Sequence, residues 1–214
     1  MAGRKVILAG ATGLVGRALL EGLLAESQVA HVHCLGRRKP NIEHGKLTAH
    51  VVDFAALPAL PSADEVYLAL GTTINVAGSQ QAFRSVDFDA NLAVARAALN
   101  SGARRAGLVS AMGASAGSKV FYSRVKGELE DALERLPFDG LIIARPSLLI
   151  GDRLALGQPE RAGEQFGFAV GKALGFLVPT NYRPIEAARV AKALLATVPM
   201  AKGRRVLLSG SMQR

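Results

Sequence analysis

The amino-acid sequence predicts an α/β protein with a doubly wound, mostly parallel sheet. Short apolar runs alternate with helical patterns along most of the chain, and residues 4–26 indicate a strand, a glycine-rich turn and a helix. Polar clusters follow the apolar runs at their carboxyl ends. Strands joined by helices form right-handed crossovers, so the strands lie parallel and the helices cover both faces of the sheet. Ligands of such sheets bind at the carboxyl ends of the strands.

Each element has its own local signal. The expected strands are short, mostly apolar runs at residues 6–9, 30–36, 47–52, 64–70, 106–110, 141–144 and 205–209. The expected helices carry apolar residues at helical spacing, at residues 14–26, 80–101, 121–135 and 184–198. Gly102 and Pro137 mark the ends of the second and third of these helices. The alternation of the two kinds of element predicts one parallel sheet with helices between its strands.

The length of 214 residues, half of them apolar, suits one buried core. We expect a single domain over residues 1–214, with residues 151–204 as a small C-terminal substrate or lid portion, because prolines interrupt the alternation there. Gly167, Gly171 and Gly175 recur every fourth residue in that portion and would form one smooth helix face. Close helix packing and a lid over a substrate both explain such a face.

Composition argues against several classes of protein. The apolar runs fall short of the roughly 20 residues that cross a membrane, and the first strand starts too soon after Met1 for a secretory leader. The single cysteine, Cys34, allows no internal disulfide, so we expect a reducing, cytoplasmic location. The net charge of +9 indicates an anionic ligand. Nucleic acid is not the expected partner, since the basic residues are scattered and few aromatics accompany them.

Gly10, Gly13 and Gly16 lie between the first strand and the first helix and predict a phosphate-binding turn. One glycine would make the turn, one would let the backbone approach a pyrophosphate, and one would let the helix pack closely. The helix N-terminus adds N–H groups and a positive dipole. A plain tight turn gives the same spacing, so the flanking strand and helix carry the prediction of a dinucleotide site. The contacts expected here are Gly10, Thr12, Gly13, Leu14 and Val15.

The end of the second strand indicates which dinucleotide is bound. An acidic residue there would bind the ribose 2′-hydroxyl of NAD, but this sequence has Arg37 and Arg38. Guanidinium groups match a 2′-phosphate, so we expect NADPH rather than NADH, with solvated surface charge as the alternative. The further contacts expected at strand ends are Asp53 and Phe54 beside the adenine, and Gly71 and Thr72 beside the nicotinamide half.

Tyr122 and Lys126 predict a catalytic pair, because their i, i+4 spacing places both on one face of the predicted helix 121–135. Reduction of a carbonyl by hydride requires a proton for the developing alkoxide, and a phenol beside a cation can supply it. Lys126 would also hold the nicotinamide ribose hydroxyls, and Ser110, at the end of the fifth strand, would orient the substrate. A solvated pair on a surface helix is the alternative interpretation.

Several short strings extend this pattern: Leu35-Gly36-Arg37-Arg38-Lys39, Val52-Asp53-Phe54, Leu70-Gly71-Thr72-Thr73, Val86-Asp87, Val125-Lys126-Gly127-Glu128, Arg145-Pro146 and Asp152-Arg153. With the glycine turn and Tyr122, the chain resembles the short-chain dehydrogenase/reductase superfamily, and more narrowly its atypical, Tat-interactive oxidoreductase-like branch, over about residues 4–190. The resemblance implies a Rossmann-like fold, bound NADPH, Tyr122 as proton donor and Lys126 as its partner. It adds Leu70 to the cofactor contacts, and Pro146 and Leu148 closing over the nicotinamide.

The expected function is NADPH-dependent reduction of a small carbonyl substrate. The resemblance leaves dehydratase and epimerase chemistry open, and the alternative is an NADPH-binding regulatory module that contacts a protein partner. Monomer and homodimer both stay open. The arginines near the substrate region favour either an anionic substrate or ion pairs with Asp152, Glu160 and Glu186; these arginines are Arg145, Arg153, Arg161 and Arg183.

A metal site is not expected. The side chains that could in principle bind a metal are His31, His33, Cys34, His44 and His50. On a strand His31 and His33 share one face and Cys34 faces the other way, and the remaining spacings match no usual zinc pattern. Structural or surface roles therefore explain these residues.

Overall fold

The computed structural model of the chain describes residues 3–151 and 179–213. Its main strands are β1 (Arg4–Ala9), β2 (Val29–Gly36), β3 (Leu47–Val51), β4 (Glu65–Leu68), β5 (Arg105–Val109), β6 (Gly140–Arg145) and β9 (Gly203–Leu208). They form one seven-stranded sheet in the order β3-β2-β1-β4-β5-β6-β9, and its neighbouring strands run parallel. Two short strands, β7 (Leu149–Ile150) and β8 (Ile185–Glu186), pair separately. The predicted doubly wound fold class is confirmed.

Helices cover both faces of the sheet. The α-helices are α1 (Leu14–Ala25), α2 (Ile74–Ala77), α3 (Gln80–Arg84), α4 (Asn91–Asn100), α5 (Phe121–Glu134) and α6 (Ala187–Thr197). Short 3-10 turns lie at Thr180–Tyr182, Val198–Met200 and Ser209–Met212. In β1, Val6 and Leu8 pack in the layer of α1 and α6, while Ile7 and Ala9 pack in the layer of α4 and α5. Strands buried on both faces are continuous apolar runs in the sequence.

The helix predicted over residues 80–101 contains a π-helical segment, Ser85–Ala90, between α3 and α4. The side chain of buried Asn91 explains part of this irregularity. Its amide nitrogen donates to the carbonyls of Val86 and Asp87, at 3.3 and 3.1 Å, and to the carbonyl of Leu70 at 3.2 Å. A side chain that enters the main-chain hydrogen-bond ladder disturbs the α-helical pattern. The same bonds tie the π-helical segment to the chain just after β4.

Residues 179–213 belong largely to the main core. Val190 and Leu194 of α6 are buried in the layer shared with α1, and β9 completes the sheet beside β6. The remainder of the predicted substrate or lid portion lies outside the described residues, including Gly167, Gly171 and Gly175. Among the helices that the structure describes, none is long and apolar enough to cross a membrane.

A buried ion pair joins β1 and β4 at the amino-terminal edge of the sheet. Arg4 donates to both carboxylate oxygens of Glu65, at 2.8 and 2.6 Å, and also contacts Glu26. The Glu65 side chain is fully buried, and Tyr67 donates its hydroxyl hydrogen to it at 3.2 Å. Burial alone would lower the pKa of Arg4, but the contacts with Glu65 and Glu26 raise it above its ordinary value. The Arg4 guanidinium therefore stays charged, and its bonds to Glu65 join β1 to β4.

Glu65→Gln is expected to destabilise the fold by about 3–5 kcal/mol, because it leaves the Arg4 guanidinium without its buried carboxylate partner. Urea unfolding followed by circular dichroism measures this loss in the free energy of unfolding. Glu21→Gln is the matched control. The side chains of the Arg17–Glu21 pair are 46% and 56% exposed, so its loss should cost less than about 1 kcal/mol. Equal losses in the two variants would contradict the prediction.

Candidate cofactor site

A cleft of about 990 Å³ opens at the carboxyl ends of the strands, around the point between β1 and β4 where the strand order reverses. The turn after β1, the loops after β2, β3 and β4, and the π-helical segment form its walls. The predicted cofactor contacts that line it are Gly10, Thr12, Gly13, Arg37, Arg38, Asp53, Phe54, Leu70, Gly71 and Thr72. Leu14 and Val15 follow in the first turn of α1. Pro146 and Leu148 lie near the connection from β6 to β7, outside this lining.

Each of the three glycines of the turn is explained by a different structural feature. Gly10 has a φ of +94°, and a Cβ on it would lie 2.4 Å from the carbonyl oxygen of Ala69. A Cβ on Gly16 would lie 1.9 Å from the carbonyl oxygen of Gly10, so α1 packs against the turn through a bare backbone. Gly13 is the N-cap of α1, and a Cβ there would meet Gly10 at an ordinary 3.4 Å. Gly13 is therefore the glycine whose missing side chain leaves room for a ligand.

The residues of this cleft fit a dinucleotide. The first N–H groups of a helix have no intrahelical acceptor, and the N-cap of α1 lies in the cleft wall, so phosphates can bind there. Arg37 and Arg38 line the end of β2 and are exposed to solvent. At the end of β3, Asp53 Oδ1 accepts the N–H of Ala55 at 2.9 Å, which orders the turn that carries Phe54. Along the cleft, the apolar ring after β3 is thus followed by the positive charge after β2 and by the helix N–H groups after β1.

Lys126 forms a buried ion pair beside the cleft wall. Its Nζ lies 2.7 Å from Asp87 Oδ1, and the two side chains are 5% and 1% exposed. Asp87 Oδ2 accepts the N–H of Thr72 at 2.8 Å, which attaches the pair to the loop after β4. A Cβ on Gly71 would lie 3.5 Å from Asp87 Oδ1 and 3.8 Å from Lys126 Nζ. The pair therefore lies directly beside a residue that lines the cleft.

Tyr122 lies one turn before Lys126, in the first turn of α5. Its ring is partly buried and packs against the fully buried ring of Phe83, with 5.5 Å between the ring centroids. Phe83 also contacts Phe121, at 5.8 Å between centroids. Helix α3 therefore restricts where the phenol can point. Tyr122 lies outside the lining of the cleft as the described residues define it.

Ser110 is placed differently from the sequence expectation. It is buried just after β5, and its hydroxyl donates to Glu130 Oε1 at 2.5 Å. Arg145, the last residue of β6, donates to both oxygens of Glu130, at 3.0 Å from Nε and 2.5 Å from Nη2. The bond to Glu130 raises the pKa of Arg145 above its ordinary value despite burial. The Ser110 hydrogen is thus used within the protein, and its oxygen remains an acceptor.

The other arginines named from the sequence have varied positions. Arg145 pairs with Glu130 rather than with the acids named near it in the sequence. Of those acids the structure describes Glu186, which pairs with Arg189 at 3.7 Å. The backbone carbonyl of Arg183 accepts a hydrogen bond from Ser147. Arg153 and Arg161 lie outside the described residues.

Cys34 and the histidines of β2 and β3 do not form a reactive or metal-binding group. Cys34 lies in the cleft wall, and burial raises its pKa to about 12, so its thiol stays protonated. His33 Nδ1 and His50 Nε2 are 3.2 Å apart. Burial, together with the charges of His31, His50 and Lys5, lowers the pKa of His33 to about 4. In residues 3–151 and 179–213, no group of three or more His, Cys, Asp or Glu side chains could hold a metal ion.

Sequence reasoning gave no role to Asp87 or Glu130, although signals for both were present. Tyr122, Lys126 and Glu130 are spaced i, i+4, i+8, so Glu130 shares the face of the predicted catalytic pair. Asp87 falls on the apolar side of the helical pattern, four residues after Phe83. A charge on a face that packs in the core requires a buried partner, because burying it alone is costly. Lys126 and Arg145 are those partners.

The parallel sheet, its cleft and the glycine turn define a Rossmann-like, dinucleotide-binding protein. Residues 10–150 match the family model described as NAD(P)H-binding. The chain belongs to this NAD(P)H-binding family, and within it to the atypical short-chain dehydrogenase/reductases that include FMP52 and HTATIP2. The resemblance predicted from the sequence is confirmed.

Two relatives and one solved structure illustrate this placement. The chain is 35% identical over 178 residues to "Protein fmp52-1, mitochondrial" of Aspergillus terreus, covering 78% of this chain and 76% of the relative. It is 36% identical over 171 residues to HTATIP2 of Rattus norvegicus, covering 77% and 69%. MoeE5 in complex with UDP-glucuronic acid and NAD superposes with a TM-score of 0.70 at 16% identity, covering 95% of this chain and 75% of MoeE5. At that identity the MoeE5 match shows the shared fold alone.

The cytoplasmic location predicted from composition is wrong. The FMP52 relatives from Aspergillus terreus, Emericella nidulans and Candida albicans are named mitochondrial proteins, which points to mitochondria instead. A single reduced cysteine reports the redox state of a compartment and not its identity. Composition therefore had no means of separating the two locations.

Gly13→Ala is expected to weaken NADPH binding by about tenfold, equivalent to ~1.4 kcal/mol, while leaving the fold intact. The new methyl group meets Gly10 at ordinary contact distance but occupies the space that Gly13 leaves in the cleft wall. NADPH fluorescence titration measures the affinity, and thermal unfolding checks the fold. Gly45→Ala is the matched control, because a Cβ there has nothing within 4 Å. Equal affinities of the two variants would contradict a phosphate site at Gly13.

Proposed function

We propose that the protein reduces a small carbonyl compound with NADPH. The observation that carries this proposal is the position of Lys126, which lies beside Gly71 of the cleft wall and one helical turn after Tyr122. Such a lysine can reach both the nicotinamide half of a cofactor in the cleft and the phenol that serves the substrate. The NAD(P)H-binding family and the oxidoreductase fold support the same class of reaction.

The preference for NADPH rests on Arg37 and Arg38. Both line the cleft at the end of β2, on the side of Asp53 and Phe54, where the adenosine half is expected. Two guanidinium groups match a 2′-phosphate and would gain little from a 2′-hydroxyl. The residues at the end of β2, Gly36, Arg37 and Arg38, include no acidic side chain that could bind that hydroxyl.

The reaction needs one proton from the protein. Bound NADPH supplies the hydride that the carbonyl carbon accepts. Tyr122 donates its hydroxyl hydrogen to the carbonyl oxygen as negative charge develops there, and solvent returns the proton afterwards. Lys126 would hold the nicotinamide ribose hydroxyls of a cofactor bound beside Gly71. Phe83 keeps the phenol ring in place for this transfer.

In this proposal Ser110 orients the substrate less directly than the sequence suggests. Its hydrogen already bonds Glu130, so Ser110 would have to exchange that partner to donate to a substrate carbonyl. Until it does so, Ser110 bonds Glu130 of α5, which in turn binds Arg145, the residue before the expected nicotinamide contact Pro146.

The second candidate function is an NADPH-binding regulatory module with weak or no catalysis. The observation in its favour is that Lys126 and Ser110 both have carboxylate partners, Asp87 and Glu130. It differs from the first candidate in two results, carbonyl reduction and capture of a partner. The module would bind NADPH tightly, leave a broad panel of aldehydes and ketones unreduced, and capture a protein partner in a cofactor-dependent way.

Arg37→Ala and Arg38→Ala are each expected to lower the affinity for NADPH by about tenfold or more, the usual effect of losing a charge-assisted bond. Their affinities for NADH should stay within about twofold of the parent protein. Calorimetric titration with both nucleotides measures the difference. Arg135→Ala, which removes an exposed arginine after α5, is the matched control. Equal losses for NADPH and NADH in the two cleft variants would contradict the 2′-phosphate assignment.

Tyr122→Phe is expected to lower turnover by about 10²–10⁴-fold, the usual contribution of a general acid, with unchanged NADPH affinity. A carbonyl panel followed by NADPH absorbance measures turnover, and fluorescence titration measures affinity. Tyr67→Phe is the control, since it removes a buried phenol hydroxyl that bonds Glu65 at the other edge of the sheet. It should cost about 1 kcal/mol of stability and leave turnover alone. Full turnover in Tyr122→Phe would refute its role as proton donor.

A further inference from the structure

Asp87 places a negative charge directly against Lys126 at the cleft wall. Its Oδ1 is 2.7 Å from Lys126 Nζ, and both side chains are almost entirely excluded from solvent. The second oxygen is held by the N–H of Thr72 at 2.8 Å, so the carboxylate has a fixed position. The carboxylate of Asp87 thus offsets the positive charge of Lys126 beside Gly71.

That difference in charge matters for a nicotinamide cofactor. The oxidised nicotinamide ring carries a positive charge and the reduced ring does not. A charge held near the ring therefore acts on one redox form and leaves the other largely unaffected, and the interaction is strong where water is excluded. The positive charge of Lys126 opposes binding of the oxidised form, and the negative charge of Asp87 reduces that effect.

We propose that Asp87, by neutralising Lys126, sets the relative affinity of the protein for the oxidised and reduced cofactor. Asp87 acts through Lys126 and through the loop at Thr72, so it is a positioning residue rather than a catalytic one. The inference rests on the proposed function, which places the nicotinamide half at Gly71 and Thr72. It goes beyond that function because it concerns the redox form of the cofactor that the site binds more tightly. This preference does not require that a carbonyl is reduced.

The surroundings of Asp87 support an electrostatic role. The π-helical segment Ser85–Ala90 carries Asp87 inward while Ser85, Val86 and Asp89 line the cleft. π-helical turns are frequent at functional sites. Asn91 fixes the carbonyl of Asp87 to the chain after β4 through its amide nitrogen. With its backbone fixed by Asn91 and its carboxylate fixed by Thr72, Asp87 keeps its charge at a constant distance from the cleft.

The test is the ratio of two dissociation constants, for NADP⁺ and for NADPH, measured by calorimetry. Asp87→Asn should raise this ratio by about tenfold, because it removes a negative charge that favours the oxidised ring. Asp87→Asn/Lys126→Met removes both charges and should return the ratio to within about twofold of the parent protein.

Glu128→Gln is the matched control. It removes a carboxylate from the same helix as Lys126 and breaks an ion pair with Arg84, but the two side chains are 31% and 40% exposed. Solvent screens such a pair, so the ratio should stay within about twofold of the parent value. A tenfold change in this control would show that the ratio responds to any lost carboxylate, and would overturn the inference.

Lys126→Met covers the case in which Asp87→Asn does not fold. It removes the positive charge beside Asp87 and should therefore lower the ratio by about tenfold. Parallel changes in both dissociation constants, with an unchanged ratio, would show a merely structural pair and overturn the inference. Loss of all binding in the parent protein would instead refute the proposed function, so the two failures are distinguishable.

Discussion

Helix α5 holds the carboxyl ends of three neighbouring strands through two ion pairs on one of its faces. Lys126 pairs with Asp87, which bonds the loop after β4. One turn later, Glu130 receives Ser110 after β5 and Arg145 at the end of β6. Because i, i+4 spacing keeps these side chains in line, one helix fixes the relative positions of all three strand ends. The cleft wall at Gly71 depends on that arrangement.

The same ion pairs limit what the helix can do chemically. A carboxylate that stabilises a buried cation also takes one of the cation's hydrogen-bond donors. A serine that donates to a carboxylate has no second hydrogen to donate. The geometry therefore favours groups that are fixed in place over groups that move to meet a substrate. Tyr122 lies on the same face of α5, where its ring packs against the ring of Phe83.

Much of the fold and one half of the site follow from sequence pattern. Parallel strands read as apolar runs because helices cover both of their faces, and Gly10, Gly13 and Gly16 stand out because backbone contacts and cleft space exclude side chains there. The π-helical segment escaped prediction because Asn91 bonds main-chain carbonyls, which leaves hydropathy unchanged. The partners of Lys126 and Ser110, which are Asp87 and Glu130, were not predicted for a related reason. Tertiary contacts fix them across about 39 and 20 residues of sequence.

Two buried ion pairs of similar chemistry lie at opposite edges of the sheet and serve different ends. Arg4 and Glu65 join strands at the amino-terminal edge, where ligands of open α/β sheets do not bind, so their charge acts on stability alone. Asp87 and Lys126 lie at the carboxyl-terminal edge beside Gly71, which lines the cleft proposed to bind the dinucleotide. Burial strengthens the field of both pairs. The location of the second pair, rather than its chemistry, is what allows its charge to act on a ligand.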